Sequence, residues 1–210
     1  MPSSLTALAT TSTEVPEKPA CLNDGTECAS GTPVAIKVNS DEVYNFYVID
    51  ETDNEVTLIM DRNIYAPGST TDVNVVWHST SDNSQGPKTA VVVLKERTSS
   101  WINIPEREYT YSDDCGENLY SSFSETMRAR ILTYTEANDI KTANNNTMPS
   151  WMRVNLFSAG DNNTFGYWLS SACNGDYDYA HYVFYNGDIN YNNVFNPTNY
   201  GIRPVITLTK

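Results

Sequence analysis

The sequence predicts one mixed α+β domain with short antiparallel strands, two helices and long loops in its C-terminal half. Three observations lead to this prediction: consecutive runs of β-forming residues, an apolar helix led by a proline, and a second helix that opens on a capping motif. A chain of 210 residues is long enough for one domain and a short appendage. The 40% share of hydrophobic residues and 19% share of charged residues are typical of a globular protein with a core.

The N-terminal part of the domain is predicted to be β-structure. Residues 34–38, 44–49 and 55–60 form three runs that are rich in valine, isoleucine and aromatic side chains. Asp53 and Asn54 separate the second run from the third, and both residue types favour turns. The second and third runs are therefore predicted to form a hairpin.

Two helices are predicted from their first turns. Pro87 suits the first position of a helix, which we expect to extend to Arg97. Its run Ala90–Leu94 is too apolar to face water, so this helix is expected to pack on the sheet. The second helix is predicted to start at the T-x-x-E capping box Thr133–Glu136 and to run to about Thr142.

Loops and further strands fill the rest of the chain. Loops are predicted at residues 66–85 and 99–117, where glycine, proline and small polar residues accumulate. Later strands are predicted at residues 151–157, 166–171 and 202–208. Asn186 and Gly187 favour a tight hairpin turn.

The charge and the N-terminal composition exclude some classes of protein. A net charge of −13 disfavours nucleic acid and anionic lipid as partners, because both attract basic proteins. No run of about 20 apolar residues is present, so no membrane insertion is expected of this segment. Residues 1–31 are predicted to be a linker or N-terminal extension, and residues 32–210 the domain. Residues 1–20 lack the charged start and apolar centre of a signal peptide.

Four cysteines permit three pairings, and the sequence alone leaves the connectivity open. Two disulfides in an exported protein are the favoured interpretation. Cys21 and Cys28 would then close a small loop, while Cys115 and Cys173 would link distant parts of the domain. A zinc cluster is disfavoured, because the chain has only two histidines and contains no C-x-x-C pair.

The segment 174–200 has an unusual composition. Of its 27 residues, 16 are Asn, Tyr or Asp, and it contains no Lys or Arg. Tyrosine offers a large, rigid contact area, and Asn and Asp offer adaptable hydrogen bonds, as in antibody paratopes. Five small or apolar residues interrupt the pattern, and we call them the frame residues. They are Val183, Gly187, Ile189, Val194 and Gly201.

The side chains between the frame residues are predicted to be exposed and to bind a ligand. The predicted ligand-binding residues are Asp176, Tyr177, Asp178, Tyr179, His181, Tyr185, Asp188, Asn190, Tyr191, Asn192, Asn193, Asn196, Thr198, Asn199 and Tyr200. Tyrosines are also common in half-buried strands. Exposure is favoured here because Tyr177 and Tyr179 lie beside Asp and Gly rather than in an apolar run. Trp168, Arg203 and Pro204 are predicted to be scaffold.

Three motifs occur in an order that resembles a known family. Arg130–Glu136 is similar to R-x-L-T-x-x-E, Tyr167–Ser171 contains W-x-S-S, and Gly201–Val205 matches G-x-R-P-V. This trio resembles the formylglycine-generating-enzyme-like branch of the C-type lectin fold. The resemblance covers roughly residues 33–210 and implies a C-type-lectin-like fold for them.

Within that fold, the segment 174–200 resembles the variable region of proteins diversified by diversity-generating retroelements. In those proteins, template adenines are randomised during reverse transcription, which converts Asn codons to codons for Tyr, Asp, His, Ser and Thr. The resemblance implies a noncatalytic module without a cofactor that binds a protein or glycan ligand on a cell surface. It also implies extracellular display on a bacterial surface, a pilus or a phage tail. The oligomeric state stays open.

Two other functions are weighed against this one. An invariant carbohydrate-binding lectin or pilus adhesin of the same fold is the main alternative. An enzyme is disfavoured, because the formylglycine-generating enzymes use a C-terminal cysteine pair with copper and only Cys173 lies in that region. His78 and His181 lie outside any nucleophile motif, so no catalytic residue is predicted.

Calcium is the remaining candidate ligand of the loops. Asp176, Asp178 and residues 161–163 offer oxygen ligands of a suitable kind. The E-P-N or Q-P-D motif of sugar-binding lectins is absent, since Phe195 precedes Asn196 and its proline. Solvated loop carboxylates are therefore the favoured interpretation, and no metal site is predicted.

Overall fold

A computed structural model describes residues 28–64, 74–115, 119–153, 165–172, 177–196 and 200–209. These residues form ten strands and two α-helices, arranged in antiparallel sheets with one short parallel pair. The predicted mixed α+β class with two helices is confirmed. Among the described residues, no helix is long and apolar enough to cross a membrane.

The first sheet joins the N-terminal strands to the C-terminal strand, in the order β1-β2-β3-β10. Its strands are β1 (Pro33–Lys37), β2 (Val43–Glu51), β3 (Glu55–Met60) and β10 (Val205–Thr209). β2 and β3 pair antiparallel across the Asp53 turn, which confirms the predicted hairpin. Alternate residues of these strands, among them Phe46, Val48 and Leu58, are buried in the core.

The second sheet carries most of the segment 174–200, in the order β8-β7-β6-β9. Its strands are β6 (Gly166–Ala172), β7 (Tyr179–Phe184), β8 (Ile189–Asn193) and β9 (Tyr200–Gly201). β7 and β8 form the predicted hairpin. Gly187 has a φ of 93°, and a Cβ there would lie 2.6 Å from that of Met148, so both space and backbone angle favour glycine.

A separate two-stranded ribbon was not predicted. β4 (Arg107–Tyr111) lies inside the expected loop 99–117 and pairs with β5 (Phe123–Met127). The predicted strand 151–157 is wrong at its start, because Ser150–Met152 is a 3₁₀ turn; residues 154–157 lie outside the described residues.

Both helices begin where their first turns predict. α1 (Lys88–Arg97) buries Ala90, Val91 and Leu94, whereas Val92 is 52% exposed, so the apolar run is not buried as a whole. α2 (Tyr134–Ala143) starts at the complete capping box: Glu136 N donates to Thr133 Oγ1 at 3.1 Å, and Thr133 N donates to the Glu136 carboxylate at 3.0 Å.

The two sheets meet through buried aromatic and cationic side chains. Trp168 is fully buried, and its indole N–H donates to the Val75 carbonyl at 2.7 Å. Arg203 is also buried and donates to the carbonyl of Met60 at 2.5 Å and to that of Trp151 at 2.6 Å. Burial lowers the pKa of this guanidinium. Trp168 and Arg203 thus hold strands and loops together, as predicted for scaffold.

The described cysteines fit the predicted pairings only in part. Cys28 is buried and disulfide-bonded, while Cys21, its predicted partner, lies outside the described residues. Cys115 carries a thiol whose Sγ donates to the Ala172 carbonyl at 2.9 Å. This thiol does not fit the predicted bond to Cys173, which itself lies outside the described residues.

Candidate functional site

The β7–β8 hairpin sorts the predicted ligand-binding residues onto two faces. The two strands pair in a regular register, in which Tyr179 lies opposite Asn193 and His181 opposite Tyr191. Because successive side chains of a strand point to opposite faces, these four lie on one face. Tyr182, Asn190 and Asn192 consequently lie on the other. The segment predicted as one exposed surface is therefore two surfaces.

The first face carries a group of aromatic rings. Tyr179 and Tyr191 lie edge to face, with ring centroids 5.8 Å apart, and His181 lies 6.4 Å from Tyr191. Tyr134, from the start of α2, adds a fourth ring 4.6 Å from His181. We call this group, Tyr134, Tyr179, His181 and Tyr191, the tyrosine face. Tyr191 is its most exposed ring, at 50%, and the other three are partly exposed.

Hydrogen bonds at the start of α2 hold Tyr134 against the hairpin. Tyr134 N donates to Ser171 Oγ at 3.1 Å, and Thr135 N donates to the Asp114 carboxylate at 2.8 Å. Ser171 also bonds Asp114. Burial opposes the charge of Asp114, but these hydrogen bonds outweigh it and hold its pKa below the usual value. The polar network thus fixes the end of the helix that presents Tyr134.

His181 is held neutral and oriented. Its Nδ1 lies 2.9 Å from the Ala172 carbonyl. Because a carbonyl only accepts, Nδ1 must carry the proton, which leaves Nε2 as an acceptor. Burial lowers the pKa of His181, since it penalises the charged form. The ring therefore offers a ligand one hydrogen-bond acceptor and an uncharged aromatic surface.

The opposite face of the hairpin packs on the core through Tyr182, whereas Asn190 on the same face is exposed. Tyr200 is 3% exposed, and its ring lies 4.2 Å from that of Tyr182 and 4.6 Å from that of Trp168. Asn192 Nδ2 donates to the Tyr200 hydroxyl at 2.8 Å. The prediction that Tyr200 is exposed is wrong. Its ring packs against Trp168 of β6 and Tyr182 of β7, so it belongs to the core.

Several predicted polar contacts are bonded within the chain. Asn193 Nδ2 donates to the Asp178 carboxylate at 2.6 Å, and its Oδ1 accepts from Phe195 N at 2.9 Å. At the hairpin turn, Asn186 Nδ2 donates to the Asp188 carboxylate at 2.7 Å. These side chains shape the backbone of the segment, which limits their use as adaptable ligand contacts.

Two predicted tyrosines lie at opposite ends of the hairpin. Tyr177 is 88% exposed before β7, and its carbonyl accepts from Asn83 N at 2.8 Å. Tyr185 is 38% exposed at the turn and packs 4.4 Å from Phe184. The six extended residues of β7 lie between them and span roughly 20 Å. Tyr177 is two residues from Tyr179 of the tyrosine face, and Tyr185 is four residues from His181.

The remaining predicted positions have mixed outcomes. Val183, Gly187, Val194 and Gly201 are buried and Ile189 is partly buried, which confirms the frame residues. Asn196 is partly exposed, after β8. The predicted contacts Asp176, Thr198 and Asn199 lie outside the described residues, as do the calcium candidates at 161–163.

Two cavities lie away from the hairpin. Cavities of about 380 and 310 Å³ lie between α2 and β2 and share Ile49, Asp139 and Ile140 in their lining. Within the described parts of the chain, no three His, Cys, Asp or Glu side chains are grouped to hold a metal ion. His78, the other histidine, lies with Nδ1 2.9 Å from Thr80 Oγ1 of its own loop.

Tyr134 is the member of the tyrosine face that sequence reasoning missed. It lies 45 residues before Tyr179, the first residue of the hairpin, so the composition of the segment 174–200 cannot reveal it. The capping box was the available signal, because it places residue 134 at the exposed start of a helix.

Comparison with known protein families, with characterised proteins and with solved structures finds no match.

Proposed function

We propose that the chain is a noncatalytic ligand-binding module and that the tyrosine face is its working surface. The observation that carries this proposal is a set of accessible aromatic rings held over a buried frame. Tyr191 is half exposed, whereas Val183 and Val194, in the same hairpin, are fully buried. Such an arrangement keeps the backbone constant while the exposed side chains meet a partner.

The chemistry of the face suits recognition of a protein or glycan surface. Tyrosine rings provide contact area at a low cost in side-chain entropy, and their hydroxyl groups can bond polar groups at the rim. His181 adds a neutral ring with an acceptor nitrogen. The net charge of −13 favours approach of a neutral or basic partner.

The three ordered motifs support a C-type-lectin-like form of the α+β fold. Trp168 and Arg203, which belong to two of these motifs, are buried and hydrogen-bonded, in keeping with a scaffold role. Within this fold we propose a variable protein of a diversity-generating retroelement, displayed outside the cell on a bacterial surface, pilus or phage tail. The separation of exposed Tyr and Asp side chains from buried frame residues supports this proposal.

An invariant glycan-binding lectin or pilus adhesin is the second candidate. Tyr179, His181 and Tyr191 form a contiguous aromatic patch. Aromatic rings of this kind can pack against the apolar face of a sugar ring. The coding DNA separates the two candidates: an adjacent imperfect repeat that differs at adenines, near a reverse transcriptase gene, is expected for the variable protein. Absence of both would leave the lectin.

Binding is tested with a glycan array and with intact bacterial cells as probes. The double variant Tyr179→Ala/Tyr191→Ala removes two rings of the tyrosine face. Tyr185→Ala serves as the control, because it removes a tyrosine of the same hairpin at the far end. We expect the double variant to lose the binding that the wild type shows, while the control retains it. Equal loss in both variants, or no loss in either, contradicts the proposed surface.

A further inference from the structure

β8 is the outer strand of the second sheet. It is hydrogen-bonded to β7, and no other described strand pairs with it. An edge strand presents backbone N–H and C=O groups that can pair with a strand of another chain. Whether these groups of β8 are already hydrogen-bonded therefore decides whether the hairpin can associate through its edge.

The register identifies which N–H groups of β8 point outward. Phe184 N donates to Asp188 O at 2.8 Å, so residues 184 and 188 form a hydrogen-bonded pair. Such pairs recur at every second residue of an antiparallel ladder, so the even-numbered residues of β8 direct their backbone groups to β7. The N–H groups of Ile189, Tyr191 and Asn193 consequently face the outer edge.

Two of these three N–H groups, those of Tyr191 and Asn193, are bonded by the asparagine that precedes them. Tyr191 N donates to Asn190 Oδ1 at 2.9 Å, and Asn193 N donates to Asn192 Oδ1 at 2.7 Å. Asparagine side chains commonly satisfy nearby backbone groups in this way. The two asparagines thus withdraw two of the three donors that a pairing strand would use.

Three common devices that protect a sheet edge, namely lysine, proline and a β-bulge, are absent from β8. Its sequence, Ile-Asn-Tyr-Asn-Asn, contains neither lysine nor proline, and its register with β7 shows no bulge. The outer strand of the first sheet, β1, differs: it begins with Pro33 and ends with Lys37. The asparagine bonds therefore protect β8 where lysine, proline and a bulge do not.

We infer that Asn190 and Asn192 close the edge of β8 to strand pairing, above all with β8 of a second copy. An incoming strand would have to break both side-chain bonds before it could gain the corresponding backbone bonds. This inference rests on the geometry of β8 and is independent of the proposed function. It assigns these two asparagines to the scaffold of the hairpin rather than to ligand contact.

Amide hydrogen exchange tests the bonds directly. Replacing Asn190 by Ala removes the acceptor for Tyr191 N and leaves the bond between Asn192 and Tyr200 in place. We expect exchange of the Tyr191 amide to become about two- to tenfold faster, the range that one net hydrogen bond allows. Two variants serve as controls. Asn190→Asp keeps an oxygen that accepts from Tyr191 N, and Asn186→Ala removes an asparagine of the hairpin turn that does not contact Tyr191 N. Both controls should retain the wild-type rate, and an unchanged rate in Asn190→Ala overturns the inference.

Sedimentation equilibrium tests the consequence for association. We expect Asn190→Ala/Asn192→Ala to self-associate at lower protein concentration than the wild type, and Asn190→Asp/Asn192→Asp to behave like the wild type. The comparison is made at about 0.5 M salt, where screening is effective over a few ångströms. If the double alanine variant unfolds, Asn190→Ala alone is compared. Faster amide exchange without stronger association would also overturn the inference.

Discussion

Tyr191 and Tyr200 lie in the same Asn- and Tyr-rich segment, yet their replacement by Ala should have very different effects on stability. Tyr200 is 3% exposed, contacts Trp168 and Tyr182, and accepts a hydrogen bond from Asn192. Removing a fully buried aromatic ring lowers the free energy of unfolding by about 3–5 kcal/mol. Tyr191 is half exposed and loses two edge-to-face contacts, so we expect a loss of about 1 kcal/mol.

Urea unfolding followed by tryptophan fluorescence measures this difference. Buried Trp77 and Trp168 report on the core near Tyr200. With similar m values, the difference between the two variants should appear as a clear separation of their unfolding midpoints. If Tyr191→Ala and Tyr200→Ala lower the free energy of unfolding by amounts that agree within about 1 kcal/mol, the division of this segment into core and exposed side chains is refuted.

Three further predictions concern the pH dependence and the turn. Burial lowers the pKa of His181, so the neutral ring stabilises the fold above about pH 6.5, and this stabilisation is lost as the pH falls toward the folded-state pKa. His181→Gln should therefore remove this part of the pH dependence from the free energy of unfolding, measured by unfolding curves at several pH values. Burial opposes the charge of Glu136, but the bonds from Arg130 outweigh burial and lower the pKa of Glu136. The charged carboxylate therefore stabilises the folded protein above the ordinary glutamate pKa of about 4.3. Stability is lost as the pH falls through the folded-state pKa, and Glu136→Gln should flatten this acid limb. Gly187→Ala should cost about 1–3 kcal/mol in urea unfolding, because its φ is positive and Met148 fills the space; an unchanged midpoint would contradict the turn geometry.

Local signals in the sequence are enough to predict much of the fold. The capping box at Thr133 and the proline before α1 are local, so the helix starts need no knowledge of tertiary contacts. The same holds for the turns at Asp53 and Gly187, which define two hairpins. The ribbon of β4 and β5 was missed because neither strand contains an apolar run, and each buries only its last residue, Tyr111 or Met127.

The division of the candidate site could not be predicted from composition. A shift of one residue along a strand moves a side chain to the opposite face, so the placement of Asn192 and Tyr191 depends on the register with β7. The burial of Tyr200 depends on Trp168 and Tyr182, which only the assembled sheet brings together. Tyr134 likewise reaches His181 only because Ser171 and Asp114 fix the start of α2.

Two displayed libraries test most directly the proposal that a constant scaffold presents exchangeable side chains. One library randomises Tyr179, His181 and Tyr191 of the tyrosine face, and the other randomises Tyr182, Asn192 and Tyr200 of the core face. We predict that most members of the first library stay folded and yield specific binders to a chosen protein such as lysozyme, whereas most members of the second fail to fold. Equal tolerance in both libraries, or wider loss of folding in the first, would contradict the proposal.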